Sequence, residues 1–276
     1  MKFKFFLIMF ALTVSSSYAL DIKVISYNIR FNNPDDGVNA WPNRKDEVVK
    51  LLRFHEAGIF GLQEALLGQI NDIAAWMPGF DWVGVGRDDG INRGEFSPIF
   101  YNSKRYQLKE HGWFWLSETP TVPSKSWDAA LPRICTYVLL EDYETRKNFW
   151  VFNTHFDHVG EKARKEAAKL ILKKIQDLNN DKLPVILTGD FNATPDDDPI
   201  NVIERRMNDS KKESQTPPYG PDGTFNGFDF NSPLENRIDF IFVNRKVIVK
   251  KYAVLSDSNN QRYPSDHLPV FTELSF

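Results

Sequence analysis

Five short apolar runs in this chain each carry a polar group at one end, and that pattern narrows the possible folds more than any other feature. The clearest is LPVILTGDFNATP (183–195), where Leu183, Val185, Ile186 and Leu187 stop at Gly189, and Asp190, Asn192 and Thr194 follow at alternate positions. It reads as a buried strand running out into a polar mouth. If extended geometry persists past Gly189, a period of two puts Asp190 and Asn192 on one side of the chain. An ordinary strand end followed by an Asx and proline turn is the plainer alternative. The other runs deliver Asn28, Glu64, His155 and the pair Asp266 and His267. Asp239 stands inside RIDFIFV (237–243), where a bare carboxylate is costly to bury and a histidine is a suitable partner. Together these residues suggest one concave site where two sheets meet.

Residues 1–19 are expected to be a secretory signal rather than part of the fold. Lys2 and Lys4 precede an apolar run from Phe5 to Val14, and Ser17-Tyr18-Ala19 offers small residues for cleavage after Ala19. The run is too short for a membrane span, and no later one is long and apolar enough. The mature chain, 20–276, is expected to be one exported domain, periplasmic or extracellular, and a monomer. Losing two lysines and no acid makes the formal charge of −3 more negative. Such a surface gives no general attraction to nucleic acid or anionic membrane, although a local basic groove can override net charge. The single Cys135 has no internal disulfide partner and reads as a small core residue.

Taken in order, strands are predicted at 20–30, 59–64, 81–86, 97–101, 106–115, 133–140, 148–155, 237–243, 247–255 and 268–274, besides the run that ends at Asp190. Helices are predicted at 42–56, 66–77 and 162–178, with a short one near 199–207. Asn208 to Asp222 is polar and proline-rich and is expected to be a mobile surface loop. About ten strands with few, mostly peripheral helices point to two sheets packed face to face and flanked by helices.

Six segments, SYNIR (26–30), LQE (62–64), NTHFDH (153–158), TGDFNATP (188–195), RIDFIFV (237–243) and SDHLP (265–269), resemble the endonuclease/exonuclease/phosphatase superfamily. That superfamily includes deoxyribonuclease I, exonuclease III, neutral sphingomyelinases, inositol polyphosphate 5-phosphatases and deadenylases. The segments occur in the family order and span nearly the whole mature chain. The resemblance implies an α+β fold, a four-layered αββα sandwich of two mostly antiparallel sheets with helices outside. It implies a magnesium-dependent phosphoesterase, with manganese or calcium as alternatives, that uses direct water attack. Glu64 and Asp266, with Asn28, would hold the hard divalent cation; no His or Cys pair has zinc spacing. Asp190, oriented by Asn192, would handle the attacking water, and Gly189 would keep a side chain clear of the phosphate. His267, held by Asp239, would bond phosphoryl oxygens or assist proton transfer. His155 resembles the deoxyribonuclease type, in which this histidine pairs with a glutamate, so Glu95 is expected to contact His155 as Asp239 contacts His267.

Arg30 stands where some relatives carry an acid, which argues against a second cation there and makes Arg30 a candidate phosphate contact. Arg133 resembles an arginine that touches substrate phosphate in deoxyribonuclease I, with a surface arginine as the plainer reading. Trp127 is a candidate for stacking on a base or sugar, whereas Trp113 and Trp115 read as core. His55, His111 and His158 fit no catalytic role. The substrate is a phosphate ester; the loops lack a dense basic and aromatic run, which disfavours long nucleic acid. Two alternatives stand beside the small-ester phosphoesterase: a non-catalytic binding module on the same scaffold, and a nonspecific extracellular nuclease. A glycosidase using Glu64 and Asp190 would leave both histidines unexplained.

Overall fold

The computed structural model describes residues 19–276, so the expected signal segment lies outside the described residues apart from its last position. Two six-stranded sheets pack face to face. The first runs, edge to edge, through β11 (Ile248–Val254), β12 (Val270–Ser275), β1 (Asp21–Asn28), β2 (Ile59–Gln63), β4 (Ile99–Asn102) and β3 (Phe80–Val83). The second runs through β5 (Tyr106–Trp115), β6 (Ile134–Asp142), β7 (Asn148–His155), β8 (Val185–Asp190), β10 (Asp239–Val243) and β9 (Asn208–Asp209).

Each sheet has one parallel pair, β1 with β2 and β7 with β8, among otherwise antiparallel neighbours. Those two pairs position the site. A parallel pair sets two carboxyl ends side by side, so Asn28 lies across from Gln63 and His155 across from Asp190. Antiparallel β10 then brings its first residue, Asp239, opposite Asp190.

The inner faces share one apolar layer, including Val24, Ile59, Val138, Ile186 and Val270. Helices α1 (Lys45–Phe54) and α2 (Leu67–Trp76) cover the outer face of the first sheet. Helix α1 buries Val48, Val49, Leu51 and Leu52 along one stripe, and Asp46 and Glu47 in its first turn oppose the helix dipole. Helices α3 (Glu161–Leu178) and α4 (Asp198–Glu204) cover the second sheet, with Ala167, Ala168 and Ile171 of α3 facing Phe152 and Leu187. Both faces of the central strands β2, β8 and β10 are therefore buried, which is why they read as near-continuous apolar runs.

Close to the site the sheets are pinned by a polar contact. Asn153 Nδ2 donates to Leu62 O (2.8 Å) and Pro98 O (3.0 Å) of the facing sheet, and its Oδ1 accepts from Gln63 Nε2 (2.7 Å) and Thr188 Oγ1 (2.9 Å). A Cβ at Gly61 would lie 2.5 Å from Asn153 Oδ1, so only glycine permits this approach.

Several expectations change. Part of 208–222 is structured rather than a loop. Asn208–Asp209 forms β9 on the edge of β10, and α5 (Ser210–Glu213) follows. Buried Asp209 accepts from both terminal nitrogens of buried Arg237 (3.1 and 2.6 Å), an ion pair that anchors the segment and that no local pattern announces. Gly189 has a reason within the fold itself, since its Cβ would sit 2.6 Å from Thr154 O of the neighbouring strand. Trp115 is core, its Nε1 donating to Arg87 O (2.7 Å), but Trp113 is exposed.

Candidate active site

Asp190, the last residue of β8, is buried at the centre of the strand ends. Its Oδ1 accepts from Asn192 N (2.9 Å) and its Oδ2 from Asn28 Nδ2 (2.9 Å). Asn192 has a left-handed φ of 46°, a conformation that asparagine tolerates better than most residues. The chain therefore turns at this point, and Asp190 and Asn192 converge through an Asx turn rather than through continued extension. Asn192 Nδ2 donates to Phe156 O (3.0 Å) and lies 3.1 Å from His155 Nε2.

Two imidazoles flank the same carboxylate oxygen. His155 Nε2 is 3.4 Å and His267 Nε2 3.9 Å from Asp190 Oδ2. His267 Nδ1 donates to Asp239 Oδ2 at 2.8 Å, the contact expected from the sequence. Burial would lower the His267 pKa, but the charge and hydrogen bond of Asp239, with Asp190 and Asp266 nearby, hold it well above the usual histidine range. His155 differs. Arg133 NH1 stands 2.9 Å from its Nδ1, and burial reinforced by that guanidinium lowers its pKa to about 3. The expected Glu95 contact is only partly realised. Glu95 Oε2 is 3.7 Å from His155 Nδ1, but it accepts from Arg87 NH1 at 2.6 Å and lies 3.8 Å from Arg133 NH1. Two buried guanidiniums attract this carboxylate more strongly than one neutral ring does.

Arg133 is thus a buried residue of the site wall and not a surface arginine. Its NH2 also reaches His158 Nδ1 at 3.0 Å, so His158, which the sequence left without a role, belongs to the site. Asp157 was also missed. It is buried, accepts from the backbone nitrogens of Ala130, Leu131, Val159 and Gly160, and is held far below the usual carboxylate range despite its burial. An aspartate just before a helix was the available signal.

On the other side, Glu64 follows β2 with a left-handed φ of 59°. Its Oε1 accepts from Asn28 Nδ2 (3.1 Å) and its Oε2 from Phe31 N (3.2 Å). Burial, opposed by His267 and reinforced by the like charge of Glu64, raises the Asp266 pKa. Asp190 is raised by burial and by Asp239. Such an accumulation of buried carboxylates, with hard oxygen donors on Glu64 and Asp266, fits a divalent cation of the magnesium or calcium type. Asp190, Asp239 and His267 also form a compact group of ligand types, with atoms within 4.8 Å of one another. There, however, the His267 Nδ1 is engaged by Asp239, so the trio reads as a hydrogen-bonded relay. Asn28 is placed behind the carboxylates as a bridge. Its Oδ1 accepts from Arg30 N (3.0 Å), which leaves one lone pair of that oxygen free, and its amide hydrogens face Glu64 and Asp190. Arg30 lies 3.9 Å from Glu64 and 4.0 Å from Asp266, and is held by Asp36 through bonds of 3.0 and 3.1 Å. A guanidinium there disfavours a second cation in the same place.

A cavity of about 490 Å³ is lined by Glu64, Asp266, Asp190, Asn192 and both site histidines, with Glu95, Arg30, Arg133 and His158 on its walls. Phe225 also lines it, with its ring 5.1 Å from that of His267. Trp127 does not; it lines a separate groove with Glu118 and Lys169, which removes it from substrate stacking in this cavity. A larger cavity, about 820 Å³, lies beside α3 and α4 and contains none of these groups.

A sequence model described as the Endonuclease/Exonuclease/phosphatase family matches residues 25–267. Among solved structures, a mannosyl-6-phosphatase of Bacteroides thetaiotaomicron is 43% identical, covers 92% of this chain and 100% of its own, and superposes with a TM-score of 0.89. An endonuclease/exonuclease/phosphatase family protein from the same organism is 42% identical, with 94% and 99% of the two chains covered and a TM-score of 0.90. An uncharacterised protein of Acanthamoeba polyphaga mimivirus is 30% identical over 207 residues, 71% of this chain and 75% of its own length.

Proposed function

The chain belongs to the endonuclease/exonuclease/phosphatase family and is a hydrolase of phosphoester bonds, and from that premise we propose that it is a divalent-metal-dependent phosphomonoesterase acting on a small sugar phosphate. The observation that carries this reading is Asp190 set between the Nε2 atoms of two histidines, beside the Glu64 and Asp266 carboxylates. A cavity of about 490 Å³ suits a small ester. Its cationic groups, Arg30, Arg133 and the charged His267, suit a phosphate dianion. The similarity to a protein named a mannosyl-6-phosphatase supports a sugar as the alcohol. We also infer that 1–19 is a cleaved signal, that 20–276 is the working domain and that it acts outside the cytoplasm.

Asp190 Oδ2 accepts the proton of the attacking water, and the raised pKa of this carboxyl makes it a stronger base than a solvent-exposed aspartate. Asn28 and the Asn192 backbone hold its two oxygens in place. The imidazolium of His267 donates from Nε2 to the phosphoryl oxygens, where negative charge grows. Glu64 and Asp266 would hold the cation, which when bound supplies Lewis-acid neutralisation of phosphoryl and leaving oxygens. The P–O bond to the alcohol breaks as the new P–O bond forms, and the leaving oxygen takes a proton from solvent, giving the free sugar and inorganic phosphate.

The test is hydrolysis of a hexose 6-phosphate, an aryl phosphodiester and DNA by the purified protein, with magnesium, manganese, calcium or EDTA. The monoester should be hydrolysed fastest, EDTA should abolish turnover, and Asp190→Asn should lower kcat by about 10³-fold, within the range for a general base. Turnover that persists in EDTA, or faster cleavage of the diester or DNA, overturns the corresponding part of the reading.

A further inference from the structure

We propose that His158 is a substrate-contacting residue that reads the alcohol half of the substrate through its Nε2–H, in a tautomer set by Arg133. The two terminal nitrogens of Arg133 lie 2.9 Å from His155 Nδ1 and 3.0 Å from His158 Nδ1. A guanidinium has five N–H donors and no lone pair to accept with. Both imidazoles must therefore accept at Nδ1, and both carry their proton on Nε2. One arginine fixes the orientation of two rings.

The arginine is itself fixed. It is 4% exposed, with Asp157 Oδ2 3.5 Å from its Nε and Glu95 Oε2 3.8 Å from its NH1. Asp157 in turn ties the backbone at 130–131 to that at 159–160. His158 therefore sits on a clamped segment although its side chain is exposed, a pre-organised donor rather than a mobile surface histidine.

The two rings differ in what their Nε2 can reach. That of His155 points its proton toward Asp190 Oδ2 at 3.4 Å, and Asn192 Nδ2, itself a donor, lies 3.1 Å away without accepting from it. That of His158 has no hydrogen-bond partner among the described residues, and the residue lines the cavity beside Leu131. Contacts run from Asp190 through His155 and Arg133 to His158, so His158 stands two residues removed from the group that handles water. On this proposal the alcohol lies there, beside His158 and Leu131, and the transferred phosphoryl group beside Asp190 and the Glu64 and Asp266 carboxylates. A fixed N–H next to an aliphatic side chain suits a hydroxyl and the adjoining C–H face of a sugar, and discriminates against an alcohol that lacks the hydroxyl.

This inference rests on the sugar-phosphate reading, and the experiment separates the two. The purified protein and its His158→Ala and His158→Gln variants are compared on mannose 6-phosphate and on p-nitrophenyl phosphate, which has no hydroxyl to offer. In His158→Ala, kcat/KM should fall by about 10-fold or more for the sugar phosphate, chiefly through KM, and change less than about threefold for the aryl ester. His158→Gln, whose amide nitrogen falls near the position of Nε2, should recover part of the loss. Equal losses on both substrates, or no loss on either, overturn the role of His158 while leaving the sugar-phosphate reading intact. Wild-type protein that hydrolyses the aryl ester but not the sugar phosphate overturns that reading, and this inference with it. If His158→Ala does not fold, His158→Gln on the same two substrates decides.

Discussion

His155 and His267 approach the same oxygen of Asp190 from two sheet ends, yet they are electrostatic opposites. His267 has a carboxylate on Nδ1 at 2.8 Å and is held charged; His155 has a guanidinium there at 2.9 Å and is held neutral. Both are buried, so desolvation acts on each in the same direction. The largest difference in charge lies in the neighbour on Nδ1, Asp239 for one ring and Arg133 for the other. A pair of histidines beside one aspartate therefore says little about their charge until the group on the far nitrogen is known. Here one ring supplies positive charge to a developing anion, and the other supplies a neutral N–H beside the water-handling carboxylate.

The strongest way to break this contrast is Asp239→Asn. The amide keeps a hydrogen-bonding group of similar size but removes the charge that sustains the His267 imidazolium. We expect kcat at neutral pH to fall by about 10²-fold or more, as for loss of a charged transition-state donor. A loss below about fivefold would show that His267 works uncharged and that the flanks are equivalent.

Arg133→Met should have the next largest effect, about 10-fold on kcat, because it frees His155 and His158 together. It also has a signature in pH. The native His155 pKa, about 3, lies below the value of about 6.5 for an unperturbed histidine. Between those values the unfolded chain binds the proton and the folded one does not. The contribution of His155 to stability is thus present in full above about pH 6.5 and is lost as pH falls toward 3. In Arg133→Met the ring should protonate at higher pH, which NMR of its C–H resonances would follow, and the part of the acid loss due to this ring should shrink. A His155 resonance that titrates near 6.5 in the wild-type protein would count against the assigned contact.

How far the sequence disclosed this contrast depends on what each flank is made of. The His267 side was legible because Asp239 interrupts an apolar strand and a buried carboxylate needs a partner. The strand-end groups were legible for the same reason: Glu64, His155 and Asp190 each end a run whose burial is visible in its composition. The His155 side was not, because Arg133 reaches the ring through strand register. Cys135 pairs with Thr154, which carries residue 133 past the end of β7, and a single sequence does not encode register. Trp127 was misplaced because a tryptophan in a loop does not say which face it turns to. The Asp209–Arg237 pair joins residues 28 apart with no shared pattern.

The smallest expected effect on turnover is the most discriminating, because it concerns the residue expected to mirror Asp239. Glu95→Gln would disable a Glu–His pair as thoroughly as Asp239→Asn. In this structure, however, Glu95 bonds Arg87 at 2.6 Å and stands 3.7 Å from His155. The variant should lower kcat only about two- to fivefold, while removing a charge from between two buried arginines should cost about 1–3 kcal/mol of stability. Urea unfolding and steady-state kinetics on the same preparation measure both. A loss of turnover comparable to that in Asp239→Asn, with unchanged stability, would mean that Glu95 rather than Arg133 holds His155 during catalysis. The imidazole would then be free to charge like its counterpart, and the asymmetry between the two flanks would disappear.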